Sequence, residues 1–220
     1  MTTNRDHARR LSRESLNRGD PVGWFDELYS VADGDPSFVP WADMTVNPHF
    51  TEWCNLRSLN GAGQRALVVG CGLGDDAEAL SKLGFDVVAF DVSPAAISWC
   101  RRRFSETTVE YCETDLFAYP EEWTAAFDFV LEVYTVQALP DPVQSEAIAH
   151  IARLVAESGT LLVVTRGRDA TDDLGDLPWP LTKSRLGLFQ ESGLKEVRFE
   201  DFVDDENPPV RRFRIEYRRG

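Results

Sequence analysis

From Ala66 onward, the apolar positions of this chain alternate between two periods. ALVVG (66–70), DVVAFD (86–91), TVEYCETD (108–115), FDFVLEV (127–133) and GTLLVVT (159–165) are short runs rich in β-branched and aromatic residues, which is how strands read. Between them, Ala77, Leu80 and Leu83 recur at helical spacing and stop at Gly84. Ser93 followed by Pro94 opens a helix that runs to about Phe104, and another extends from about Pro142 to Ala156. A serine at the cap satisfies first-turn N–H groups, and proline suits the first turn because its missing N–H would have had no partner there. Strands alternating with helices of this length need crossover connections, and so a parallel sheet covered on both faces.

The two ends of the chain follow other patterns. Residues 5–18, 24–31 and 47–59 read as helices, with a loop containing Pro and Trp between the last two. After a helix near Thr182–Ser192, LKEVRFEDF and RRFRIEYRR alternate with period two across the polar turn DDENPP. They form an expected antiparallel hairpin, whose arginines 211, 212, 214, 218 and 219 read as charges that guard an edge strand. The expected fold is α/β, a Rossmann-like doubly wound, mostly parallel seven-stranded sheet with this C-terminal hairpin. It is read as a single domain over 1–220, with 1–60 an N-terminal helical lid region and 61–220 the core.

Composition narrows the function. Lys and Arg number 23 against 37 Asp and Glu, a formal charge of −14, which repels phosphate backbones and anionic lipid and points away from nucleic-acid or membrane partners. The N-terminus is polar, and no apolar stretch is long enough to span a bilayer. Cys54, Cys71, Cys100 and Cys112 form no C-x-x-C pair, and His7, His49 and His150 are scattered. Free thiols in a reducing cytoplasm, and no metal site, are expected.

The chemistry concentrates in VVGCGLGDD. Gly70, Gly72 and Gly74 lie where the first strand turns into a helix, and glycine there lets backbone approach a ligand closely. Asp91 ends the second strand twenty-one positions after Gly70, where a carboxylate accepts from ribose hydroxyls. A dinucleotide loop needs Gly or Ala at position 75, which here is Asp75, facing where a pyrophosphate would lie. The G-x-G-x-G spacing suits a nucleoside without phosphate, and S-adenosylmethionine, with its sulfonium and amino acid, fits. Asp115 after the third strand is placed to accept from the adenine amine, and Phe117 to pack on the purine. Glu132 and Tyr134 end the fourth strand at the carboxyl edge of the sheet. Cys71 within the loop, Val92 and Ser93 after Asp91, and Leu116 after Asp115 complete the expected cofactor set.

These residues resemble the class I S-adenosylmethionine-dependent methyltransferases, and within them the thiopurine and halide/thiol methyltransferase branch. Pro40-Trp41 with Pro48 resembles that branch's PW-x6-P segment, which implies that Trp41 lies over the cofactor. GCGLGDDA resembles its GCGxGxDA loop, which makes Asp76 a cofactor residue, and LPWPLT (177–182) resembles its PPY-type segment, with Trp179 at the aromatic position. Val68 stands where many class I enzymes have an acidic residue. EVYTVQALP differs from the branch's fourth-strand segment, so the acceptor does not carry over. Asn207-Pro208-Pro209 lies far from the place where amino-methylating DNA enzymes need such a motif.

The implied activity is methyl transfer to a small molecule, leaving S-adenosylhomocysteine. Displacement at a sulfonium depends chiefly on alignment, and a soft acceptor such as a thiol needs little help from a base. Tyr134, Trp179 and Arg166 are the acceptor-pocket candidates, and a monomer or weak homodimer is expected. A non-catalytic S-adenosylmethionine sensor and a nicotinamide-dependent oxidoreductase remain the alternatives.

Overall fold

The computed structural model describes residues 3–220. Seven strands, β1 (Arg65–Val69), β2 (Asp86–Asp91), β3 (Glu110–Glu113), β4 (Phe127–Val133), β5 (Val155–Arg166), β6 (Leu194–Val203) and β7 (Arg211–Arg219), form one sheet in the order β3-β2-β1-β4-β5-β7-β6. The pairs β2–β3, β1–β4 and β4–β5 are parallel, while β7 runs antiparallel to both β5 and β6. Eight helices accompany them: α1 (Asn4–Asn17), α2 (Gly23–Ala32), α3 (Pro48–Arg57), α4 (Asp75–Lys82), α5 (Pro94–Arg103), α6 (Asp141–Leu154), α7 (Lys183–Leu186) and α8 (Leu188–Glu191). This is the Rossmann-like, mostly parallel sheet with an antiparallel C-terminal hairpin that the periodicity implies. The chain divides into two compact units, one of residues up to Gly63 with Gly70–Asp115, the other of Gln64–Val69 with Leu116–Gly220.

In the first unit, Val87–Phe90 of β2 are all buried, as a strand covered on both faces requires. Helix α5 starts where the sequence marks it. The Ser93 hydroxyl accepts from Ala96 N at 3.1 Å, Pro94 occupies the first turn, and Arg101–Arg103 complement the dipole at the other end. Asp26 of α2 reaches the same helix start, accepting from Ser93 Oγ at 2.7 Å and from Ala95 N at 3.0 Å. Tyr29, Ala32, Val39, Leu73, Ala96 and Trp99 pack together, so α2 and the loop after it are part of this unit's core.

In the second unit, α6 buries Ala147, Ile148, Ile151 and Ala152, the i, i+3, i+4 stripe of an amphipathic helix. Three boundaries differ from the sequence reading. Strand β3 is shorter, at Glu110–Glu113. Strand β5 begins at Val155, directly after α6, because Val155 pairs with Phe127 before an irregularity shifts the register to Thr160 beside Phe129. The helix expected over 182–192 is two single turns meeting at Gly187, a residue with little helix propensity.

The C-terminal arginines need a larger correction. Strand β7 lies between β5 and β6, so β6 is the edge. Arg212 and Arg214 are buried. Arg212 pairs with Asp204 at 2.6 Å and with Glu206, and Arg214 pairs with Glu200 at 2.6 Å. Two of the arginines that read as edge protection are thus buried inside the sheet, because a period-two pattern does not say which strands flank a run. Of these pairs, only Arg212–Asp204 is buried on both sides.

Candidate functional site

The glycine loop makes a bare elbow. Gly70, Gly72 and Gly74 have φ of 58°, 52° and 88°, the left-handed region that glycine enters without a Cβ penalty. The Cys71 N–H donates to the Phe90 carbonyl at 2.8 Å, tying the elbow to the end of β2. Asp91 closes it. Its two oxygens accept from Gly72 N and Ser93 N, each at 3.0 Å, and the residue is 7% exposed. Burial pushes the Asp91 carboxyl up to about 6, against the pull of the Ser93 and Gly72 N–H groups, and the nearby Asp26 charge adds to the rise. Val92 is half-buried beside it, and Asp115 is exposed just past β3.

Gly74 cannot take a side chain. A Cβ there would lie 2.4 Å from Tyr111 Oη and 3.2 Å from Cys100 Sγ. Adding the left-handed backbone cost, Gly74→Ala is expected to destabilise the protein by about 2–4 kcal/mol, measured by urea denaturation. Gly34→Ala, also at positive φ but with open space around it, is expected to lose only about 1 kcal/mol.

The N-terminal segment is stapled to the elbow by residues that periodicity does not single out. Trp41 Nε1 donates to Tyr29 Oη at 2.9 Å, and that oxygen would lie 3.1 Å from a Cβ on Gly72. Trp41 is 38% exposed, with edge contacts to the rings of Trp24, Phe25 and Tyr29. Asp76 accepts from Asn47 N at 2.8 Å, while the Asn47 side chain caps α3 through His49 N and Phe50 N. Burial pushes Asp76 up to about 6, opposed by the Asn47 N–H. Asp75 turns to Arg103, whose guanidinium holds both its oxygens at 2.8 Å. Of the two aspartates, only Asp76 serves the loop over the elbow.

In the second unit, the carboxyl ends of β4 and β5 carry the acceptor candidates, knitted by Gln137. Its Oε1 accepts from Thr165 Oγ1 at 3.0 Å and from Arg166 N at 2.6 Å, and its carbonyl accepts from Trp179 N at 2.8 Å. Tyr134 follows β4 with φ of 64°, a conformation that strains a non-glycine residue and collects at functional sites. The Arg212 guanidinium lies 4.9 Å from the centre of its ring. Phe117 packs its edge against His150 of α6, and Leu116 is buried.

Glu132 is fully buried. Its Oε1 accepts from Thr135 N at 2.7 Å and Val136 N at 2.9 Å, fastening the turn that carries Tyr134, while Oε2 has no partner among the described residues. Burial pushes its carboxyl up to about 7, against those two N–H groups. A folded pKa above the unfolded one makes ionisation unfavourable in the native state. The stability linked to Glu132 is therefore complete below about pH 4.5 and declines as pH rises through about 7. Glu132→Gln keeps an acceptor for the turn and is expected to remove on the order of 3 kcal/mol of that pH dependence, read from denaturation midpoints between pH 4 and 8.

Comparison with known proteins puts these features in a family context. Residues 66–159 match the family model described as a methyltransferase domain. A ubiquinone biosynthesis O-methyltransferase of Pseudomonas fluorescens is 32% identical over 139 residues, covering 62% of this chain and 58% of that protein. The chain thus aligns with less than two thirds of this curated relative's length. NodS, an N-methyltransferase of Bradyrhizobium japonicum solved with S-adenosylhomocysteine, superposes with a TM-score of 0.66 at 20% identity, over 89% of this chain and 96% of that one. A 1,6-didemethyltoxoflavin-N1-methyltransferase of Burkholderia thailandensis, solved with bound 1,6-didemethyltoxoflavin and S-adenosylhomocysteine, gives a TM-score of 0.69 at 16% identity, over 87% of this chain and 85% of that one. The chain has the methyltransferase fold.

Sequence reasoning missed Tyr29, Asn47, Asp26 and Gln137. Asn47 before Pro48 carried a readable cap signal. The other three sit in helical or turn segments where nothing in the local pattern marks them.

Proposed function

We propose that this chain transfers a methyl group from S-adenosylmethionine to a small-molecule acceptor. The observation that carries the reading is the bare elbow closed by a buried carboxylate. The loop turns at three positive-φ glycines, of which Gly74 packs against the chain's own Tyr111 and Cys100, and each oxygen of Asp91 is fixed by one N–H, with acceptor capacity remaining for ribose hydroxyls. Asp76 in the first turn after the elbow and Asp26 beside Asp91 add negative charge that suits a nucleoside bearing a sulfonium and opposes a pyrophosphate. The nicotinamide-dependent alternative is disfavoured on that ground. The methyltransferase-domain match and the methyltransferase fold point the same way.

In this reading Gly70, Cys71, Gly72 and Gly74 hold the methionyl and ribose parts through backbone, Asp91 orients the ribose, and Asp115 accepts from the adenine amine. Trp41, held by Tyr29, covers the loop. The cofactor supplies an already activated methyl group, so the chain's task is to align an acceptor and exclude water. Tyr134, Arg166 and Trp179 are the residues assigned to that acceptor. The thiopurine and halide/thiol resemblance of Pro40-Trp41, Asp76 and Trp179 favours a soft acceptor such as a thiol. The relative's name as an O-methyltransferase favours a hydroxyl instead.

Incubation with methyl-labelled S-adenosylmethionine and a panel of thiols and phenols tests the reading. Transfer to a panel member is expected. Calorimetric affinity for the cofactor with no transfer to any member would leave the sensor alternative in its place. Ribose hydroxyls donate to ionised Asp91, so affinity for S-adenosylhomocysteine is expected to fall as pH drops through about 6, approaching about tenfold per pH unit for one linked proton.

A further inference from the structure

Ser93 stands between two carboxylates, all three within the first compact unit. Its N–H donates to Asp91 Oδ1 at 3.0 Å, and its hydroxyl donates to Asp26 Oδ1 at 2.7 Å. The serine is fully buried, and its one hydroxyl hydrogen is committed to Asp26. The Ala95 N–H donates to the same Asp26 oxygen at 3.0 Å. Asp26, 67 positions earlier in the chain, thus fixes the residue whose N–H fixes Asp91. Two carboxylates flanking one serine also oppose each other's ionisation, and the positive end of the α5 dipole offsets part of that repulsion.

The other titratable groups near Asp91 add no buried charge. Tyr29 of α2 is pushed well above its ordinary value, chiefly by burial. Cys71 of the elbow is pushed well up by its hydrogen bond with the Cys100 thiol and by burial. Both are neutral where Asp91 titrates. On β3, Glu113 is the register partner of Asp91 and is exposed to solvent, which screens its charge.

We infer that Asp26 is a positioning residue for the cofactor: it fixes Asp91 through Ser93, and its charge limits how far into acid the site binds. This rests on the methyl-transfer reading above, in which ribose hydroxyls donate to ionised Asp91. Protonation of Asp91 removes that acceptor, and the Asp26 charge brings protonation on at higher pH. Removing the charge while keeping the oxygen therefore extends binding to lower pH. Removing the whole side chain frees Ser93 and loosens Asp91 at every pH.

Calorimetric titration with S-adenosylhomocysteine between pH 4.5 and 8 tests this. Wild type is measured first at pH 8, where a lack of binding would sink the methyl-transfer reading itself. Asp26→Asn keeps the acceptor for Ser93 Oγ and Ala95 N. Its affinity is expected to fall about half a pH unit lower than in wild type, so that at pH 5 it keeps about threefold more of its pH 8 affinity. Asp26→Ala is expected to lose about tenfold in affinity at pH 8, most of which asparagine restores. Asp86→Asn removes the same charge at the exposed far end of β2, and is expected to leave the pH dependence unmoved. An unshifted pH dependence in Asp26→Asn, an equal shift in Asp86→Asn, or undiminished affinity in Asp26→Ala would overturn the inference.

Discussion

Asp91→Ala is expected to weaken binding of S-adenosylhomocysteine by at least two orders of magnitude. A buried carboxylate accepting from two ribose hydroxyls makes two charge-assisted bonds, each contributing about 1.5–3 kcal/mol. Together they amount to at least a hundredfold in affinity. The substitution also removes the acceptor for the Gly72 and Ser93 N–H groups, so the elbow loses its closure as well as the proposed ribose contact. Asp91→Asn keeps one carbonyl acceptor and is expected to lose less. Calorimetry on both variants, with circular dichroism to confirm folding, separates the two contributions.

Arg212→Met is expected to be the most destabilising single change at the C-terminal hairpin, by about 3–5 kcal/mol. The guanidinium is 2% exposed and the Asp204 side chain 3%, so the substitution leaves a carboxylate buried without its cation. Burial works against ionisation of Asp204, but the Val210 N–H and the Arg212 guanidinium outweigh it and hold its pKa below the ordinary value. Arg212 also lies under the Tyr134 ring, so acceptor turnover is expected to suffer beyond the loss of stability. A thermal midpoint lower by roughly 10 °C is the expected readout. Adding Asp204→Leu should restore much of it, because removing both charges costs less than stranding one.

The parallel core was legible because its signals are local. Buried strands read as continuous apolar runs, Ser93-Pro94 marks a helix start, and three glycines in five positions announce an elbow. Asp91 was legible for the same reason, since its place at a strand end follows from the run before it. What was hidden depends on partners distant in sequence. Nothing in RRFRIEYRR says that β7 inserts beside β5, so the burial of Arg212 and Arg214 cannot be read from it. Asp75 and Asp76 are neighbours of the same type, yet one answers Arg103 and the other Asn47. The position of Glu132 at a strand end is legible, but that its Oε1 fastens the chain's own turn is not. Gln137 carries no motif, and its importance rests on three hydrogen bonds to segments 28 to 42 residues away.

The most direct test of the central claim is a side-by-side equilibrium titration of the wild-type protein with S-adenosylhomocysteine and with NADH. A glycine elbow closed by Asp91 and followed by Asp76 predicts saturable one-to-one binding of the first and none of the second. Saturable binding of NADH, or no measurable binding of S-adenosylhomocysteine at neutral pH, would contradict it.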